Sequence, residues 1–235
     1  MATYNRVVLK ISGEALAGAR GTGFDFDFIS AVCQTVKKAA EQGVQIGIVI
    51  GGGNFWRGVK DGAGKVERVS ADRMGMLATC MNCLAVCDVL RQLGARARVM
   101  TSVDIMGVGE RYDTRRAIEY MEDGQVVLFA GGTGAPFFST DTAAALRAAE
   151  IHADAILLAK NIDGVYSADP RKDPEAVKFD RISYDEVLAR RLAVMDSTAT
   201  SLAMDNEIPV IVFALAQPEN ILKVLAGEDV GTTVK

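Results

Sequence analysis

Short apolar runs alternate along the chain with longer stretches whose apolar positions recur every three or four residues. Residues 6–12 (RVVLKIS) form the first run, rich in β-branched side chains and bounded by Gly13, and predict a central strand. Over 25–42, Phe28, Ile29, Val32, Val36 and Ala39 fall at helical spacing, and Gly43 supplies the stop. Residues 44–50 predict a second strand. A long helix is expected over 69–93, with Met74, Leu77, Met81, Leu84 and Val89 as its apolar stripe and Gly94 as its end. The pattern continues with a strand at 95–102, a helix at 114–121, a strand at 125–130, a helix at 140–151 and a strand at 153–159. Residues 160–180 are polar, carry Asp-Gly and Asp-Pro turn signals and predict a loop. Helices at 183–190 and 197–206, a strand at 209–214 and a helix at 219–225 complete the chain. This alternation predicts the α/β class, with one mostly parallel sheet sandwiched between helical layers. No linker or repeat interrupts it, so 1–235 reads as a single domain, with a conceivable division of labour near residue 150.

Three of the expected strands end in glycine beside polar residues. Lys10-Ile11-Ser12-Gly13 follows the first, and Gly51-Gly52-Gly53, then Asn54 and Arg57, follows the second. Gly131-Gly132-Thr133-Gly134 follows the strand at 125–130. Adjacent residues without Cβ let a ligand lie directly on the main chain, and their N–H groups suit an anion. In a parallel sheet all three ends can converge on the carboxyl edge, where ligands of such folds usually bind. One lysine and several hydroxyls join the backbone donors there, enough for more than one phosphate. Residues 58–65 (GVKDGAGK) approach a P-loop, but the first glycine lies one place too early and Val66 stands where Ser or Thr belongs. No dinucleotide fingerprint occurs.

Composition narrows the function. At 235 residues, 49% hydrophobic and 24% charged, the chain has ample material for a buried core. A net charge of -4 argues against a general nucleic-acid binder but leaves room for a small anionic ligand held by local cations. No signal-peptide pattern precedes the first strand and no apolar run looks long enough to span a bilayer, so a cytoplasmic location and no membrane partner are expected. Cys33, Cys80, Cys83 and Cys87 include a C-x-x-C, but no second pair follows and His152 is the only histidine. Buried free thiols are the expectation.

The motifs Lys10-Ile11-Ser12-Gly13-Glu14, Gly51-Gly52-Gly53-Asn54 with Arg57, and Asp163-Gly164-Val165-Tyr166 with Ala168-Asp169-Pro170 resemble the amino-acid kinase family. The runs 71–79 (ADRMGMLAT) and 133–141 (TGAPFFSTD) resemble the branch of that family whose acceptor is UMP. The likeness covers essentially the whole chain. It implies a three-layer αβα fold and transfer of the γ-phosphoryl of ATP to UMP. Mg2+ would be carried by ATP, with no resident metal. Residues up to about 150 would mainly hold UMP and those from about 151 mainly ATP.

The resemblance also implies roles for residues. Lys10, Ile11, Ser12, Gly13, Gly53, Arg57, Asn161, Tyr166 and Asp169 would meet ATP, Asn161 being preferred to Lys160. Gly52, Asp72, Thr133, Gly134, Ala135, Pro136, Phe137, Phe138, Ser139 and Thr140 would hold UMP. Lys10, Arg57, Asp141 and Asp196 would serve the transfer itself. Blander readings stand beside these: a solvated Lys10, a surface ion pair for Arg57, a helix cap or first-turn charge for Asp72, caps for Asp141 and Asp196, and core packing for the two phenylalanines. Gly18, Ala19, Arg20, Gly21, Thr22 and Gly23 match a loop associated with GTP. GTP as activator, UTP as inhibitor and a homohexamer follow from the same likeness. The chain departs from the pattern at Ala135, where Asn is common, and at Lys160-Asn161, where Thr-Lys is common. Arg91 and Arg98 are kept, but Cys87, Thr114 and Gln125 replace residues that are often basic or aromatic.

Overall fold

The structure is a computed structural model and describes residues 3–57, 64–192 and 194–235. The expected loop at 58–65 lies outside the described residues over 58–63. Nine strands form one sheet in the order β4-β3-β5-β2-β1-β6-β10-β11-β9. At its centre are β5 (Val126–Ala130), β2 (Gln45–Ile50), β1 (Arg6–Ile11), β6 (Ala155–Lys160) and β10 (Val210–Ala214), all parallel. Their residues are buried on both faces, which is why the sequence shows continuous apolar runs instead of alternation. Beyond β5 lie β3 (Ala97–Thr101) and the short β4 (Glu110–Arg111). On the other side β11 (Thr232–Val234) runs antiparallel to β10 and pairs with β9 (Arg181–Ile182).

Two apolar cores sandwich this sheet. Val7, Leu9 and Ile11 point to one, with α2 (Phe26–Glu41), α3 (Arg68–Gln92) and α8 (Asn220–Leu225) above them. Val8 points to the other, covered by α4 (Thr114–Glu122), α5 (Thr140–Glu150), α6 (Tyr184–Ala189) and α7 (Ser197–Asp205). Side chains alternate across a strand, so Lys10, two residues after Val8, emerges on the α5 face at the carboxyl end of β1.

The sequence pattern missed several short elements. A helical turn, α1 (Gly13–Ala17), and a 3-10 turn at Gly18–Arg20 follow β1 directly. The polar stretch 160–180 contains a two-stranded ribbon, β7 (Val165–Tyr166) and β8 (Lys178–Phe179). The apolar positions of the long helix divide between two faces. Met74, Leu77, Met81 and Leu84 are 40–52% exposed, and the buried face carries Cys80, Cys83, Val86, Cys87 and Leu90. With 25 residues and an 18-residue window of mean hydropathy 1.3, α3 is long and apolar enough to cross a bilayer, contrary to the sequence reading. Half of that window is buried within the fold, where α3 covers β3 and β5 and packs on α2.

All four cysteines are free and buried. Burial pushes the Cys33 thiol up to about 12 and raises Cys80, Cys83 and Cys87 as well. Iodoacetamide at pH 8 should therefore label none of them in the native protein and all four in denaturant, as counted by mass spectrometry. Rapid native labelling would contradict this packing.

Candidate active site

The three glycine-bearing strand ends lie side by side, because β5, β2 and β1 are adjacent and parallel. Lys10 sits among them, 8% exposed, so it is not a solvated strand-end lysine. Its Nζ stands 2.5 Å from Asp141 Oδ1 in the first turn of α5. Ser139 caps that helix, its Oγ accepting from the N–H groups of Asp141 (2.9 Å) and Thr142 (3.3 Å). Asp196 is the N-cap of α7, accepting from Ala199 N at 3.0 Å. It also accepts from Thr142 Oγ1 at 3.1 Å and from Ser139 Oγ. Asp196 thus keeps its capping role and ties α7 to the start of α5.

Two cavities open beside this cluster. The larger, about 670 Å3, is lined by Lys10, Ser12, Asp141, Lys160, Asn161, Tyr166 and Asp169, and also by Arg171, Arg190 and Arg191. The smaller, about 160 Å3, is lined by Gly52, Asp72, Thr79, Gly132, Thr133, Ala135, Phe138, Ser139 and Thr140. Ile11, Gly13, Gly53, Arg57, Gly134, Pro136, Phe137 and Asp196 line neither. The separation follows the topology: the small cavity is built by the loops after β2 and β5 with α3, the large one by those after β1 and β6.

Strand parity also places Lys160. Ile156 and Leu158 face the α5 core, so Lys160 emerges on that face beside Lys10, and Asn161 is the next residue along. Burial is the largest influence on the Lys160 ammonium and lowers its pKa; Asp141 opposes this and Lys10 reinforces it. Its Nζ donates to Val194 O. Across the cavity, Tyr166 OH donates to Asp163 Oδ1 at 2.8 Å, and Asp169 Oδ1 accepts from Arg171 N at 3.0 Å in a tight turn.

At the small cavity, Asp72 is the fifth residue of α3 and neither its cap nor in its first turn. Arg68 Nε lies 2.8 Å from Asp72 Oδ2, and the same oxygen accepts from Phe137 N at 2.8 Å. That bond holds Phe137 at a φ of 72°, costly for a bulky residue. Phe137 and Phe138 are 64% and 51% exposed, so neither is core. Arg57 Nη2 pairs with Glu14 Oε1 at 2.9 Å and Nε donates to Gly53 O at 3.3 Å, on the open side of the glycine loop.

Sequence reasoning passed over four residues that shape these loops. Thr79 Oγ1 accepts from Gly131 N at 2.9 Å. Arg147, 4% exposed, donates to Ser102 Oγ at 2.9 Å, and Ser102 donates to Gly132 O at 2.8 Å. Asn82 is fully buried and donates to Gly51 O at 2.6 Å. The available signal was polarity on an otherwise apolar helix face, as at Thr79 and Asn82 one turn apart.

A buried lysine among glycine loops, lining a roomy cavity while the neighbouring loops build a small one, suits an α/β phosphotransferase. The chain belongs to the amino acid kinase family, whose model matches residues 5–214. A uridylate kinase of Limosilactobacillus reuteri is 54% identical over 99% of this chain and 97% of its own. The crystal structure of UMP kinase from Bacillus anthracis superposes with a TM-score of 0.95 at 36% identity, covering 99% of this chain and 96% of that one. UMP kinase from Ureaplasma parvum gives 0.92 at 35% identity, with 98% of each chain covered.

Proposed function

We propose that the protein transfers the γ-phosphoryl of Mg-ATP to UMP, giving UDP and ADP for pyrimidine nucleotide supply in the cytoplasm. The observation that carries this reading is Lys10, buried in the wall of the large cavity and paired with Asp141 at 2.5 Å, while the loops after the neighbouring strands build the small cavity. The large cavity takes ATP: Lys10, Ile11, Ser12, Gly13, Gly53 and Arg57 serve its phosphates, and Asn161, Tyr166 and Asp169 the rest of the donor. Lys160 lines that cavity beside Asn161, which makes it an equal candidate for the donor phosphates. The small cavity takes UMP, with Gly52, Asp72 and residues 133–140 around it. The acceptor residues all lie before about 150, while the donor draws Asn161, Tyr166 and Asp169 from the later part and its phosphate contacts from the earlier one.

Transfer between two anions needs alignment and neutralised charge more than covalent chemistry by the protein. Lys10 supplies positive charge where it develops on the transferred group, and Asp141 keeps that ammonium aimed. Asp196 holds Ser139 and Thr142, and through them the first turn of α5. Arg57 reaches the donor phosphates by exchanging Glu14 for them. Mg2+ carried by ATP would supply further neutralisation of the donor's phosphate charge, beside Lys10 and Arg57. Among the described residues no group of three or more His, Cys, Asp or Glu forms a separate metal site.

A coupled ADP-release assay tests the assignment. Turnover should require UMP and be much weaker with CMP. No UMP-dependent turnover, or equal rates with both nucleotides, would sink it.

The exposed apolar face of α3, Met74, Leu77, Met81 and Leu84, supports association with a second copy, and a homohexamer is the proposed assembly. Leu77→Asp with Met81→Asp should shift sedimentation to a smaller species; an unchanged coefficient would rule that face out. GTP activation and UTP inhibition are further proposals. Residues 18–23 for GTP are supported by their contact with the glycine loop, where Thr22 Oγ1 donates to Asn54 O at 2.9 Å.

A further inference from the structure

Two asparagines meet inside the protein where the glycine loop lies on α3. Asn82 is 0% exposed and Asn54 2%. Asn54 Nδ2 donates to Asn82 Oδ1 at 2.9 Å, and Asn82 Nδ2 returns a bond to Asn54 Oδ1 at 2.8 Å. The second hydrogen of each amide goes to main chain: Asn82 to Gly51 O at 2.6 Å, Asn54 to Gly23 O at 2.9 Å. Every amide proton of the pair is used. Burial of two amides is unfavourable unless they are fully bonded, and an apolar pair would fill the same space without that demand. What the polar pair adds is direction.

The atoms it holds are those of the transfer edge. Gly51 O is fixed by Asn82 while Gly51 N donates to Ile11 O at 2.9 Å, so the loop is pinned to both α3 and β1. Gly52 lies against the helix so closely that a Cβ there would stand 2.9 Å from Ala78 Cβ and from Gly75 O. One turn earlier, Thr79 holds Gly131. Helix α3 therefore grips the loops after β2 and β5 together and sets the distance between them.

We propose that Asn82 and Asn54 are positioning residues for phosphoryl transfer, a clasp that fixes Gly51, Gly52 and Gly53 relative to Lys10 and residues 131–134. The inference rests on reading this edge as the site of transfer. Neither asparagine lines either cavity, so neither is a nucleotide contact. A misplacement of about 1 Å at a reacting pair can cost about 100-fold in rate.

Asn54→Ala, Asn82→Ala and the double variant test this, with kcat, KM for both substrates and calorimetric UMP binding measured on folded protein. Each single variant should lose about 10- to 100-fold in kcat while the UMP dissociation constant moves less than about threefold. The double variant should lose little more than the worse single, because one change already breaks the reciprocal bonds. Single variants with kcat within twofold of the wild type, or losses that multiply in the double, overturn the proposal. Thr22→Val guards against variants that do not fold: it removes a single part-buried bond to Asn54 O and should lower kcat about two- to threefold at nearly unchanged melting temperature. An unchanged kcat there counts against the clasp. Absent UMP turnover in the wild type would remove the assignment and this inference together, whereas normal turnover in the variants removes this inference alone.

Discussion

Lys10→Met should lower kcat for UMP phosphorylation by about a thousandfold while leaving the UMP dissociation constant within a few-fold of the wild type. Removing one preorganised charge from a transferring phosphoryl group costs roughly 10²–10³ in rate, and cationic fingers in phosphoryl transfer are worth about 10³–10⁵. The loss falls on kcat because the ammonium acts where charge develops in the transition state, not on the acceptor in its ground state. UMP binding is spared because Lys10 does not line the small cavity. Methionine fills the same channel, but it leaves Asp141, only 18% exposed, without its cation. Stability should therefore fall too, by less than the 3–5 kcal/mol typical of a fully buried broken pair, since some water reaches the carboxylate. Lys10→Met combined with Asp141→Asn removes that orphaned charge. It should recover most of the melting temperature and none of the turnover. Stopped activity with intact UMP binding in both variants assigns the loss to chemistry; normal turnover in Lys10→Met would refute the role given to the lysine.

The layout of the fold was legible because its central strands are buried on both faces and three of them run into glycine, so run and stop are visible in one dimension. What escaped is what depends on pairing. Residues 165–166 and 178–179 are too short to show a period and become strands only against each other. On α3 two apolar stripes compete, one of Met and Leu and one of Cys, Val and Leu. Hydrophobicity ranks the first at least as high, yet the second faces the sheet. At the site the cations and glycines were recognisable as types, and strand alternation from Val8 and Leu158 would also have placed Lys160 beside Lys10. The supports were invisible for a different reason. Asn54 and Asn82 are 28 positions apart, and Arg147 reaches Ser102 across 45, distances that no local pattern spans.

Gly13→Ala should damage both folding and catalysis, although it adds a single methyl group at a negative φ. A Cβ there would stand 2.3 Å from Gly51 O, 2.8 Å from Gly51 C and 2.8 Å from Asn54 Oδ1. Two of these atoms are main chain, and none can swing away as the tip of a long side chain would. Gly51 is held from behind by its bond to Ile11 O and by Asn82. The strain must move the whole triple-glycine loop or tilt the start of α1. Overpacking of this kind costs about 1–3 kcal/mol. For a chain of this length that is about 2–4 °C of melting temperature per kcal/mol. Displacing the loop by about 1 Å should also lower kcat about 100-fold, since Gly52 and Gly53 ride on it. Gly75→Ala makes the contrast. That position is inside α3, and the nearest atom to a new Cβ is Trp56 Cδ1 at 3.9 Å. Alanine there removes the entropic cost of a helical glycine and should raise stability by about 0.5–1 kcal/mol. Opposite shifts of melting temperature for the two substitutions, read by differential scanning calorimetry, are the expected result. A neutral Gly13→Ala would mean that the glycine loop has room to retreat, and with it the fixed line between the two nucleotides would be lost.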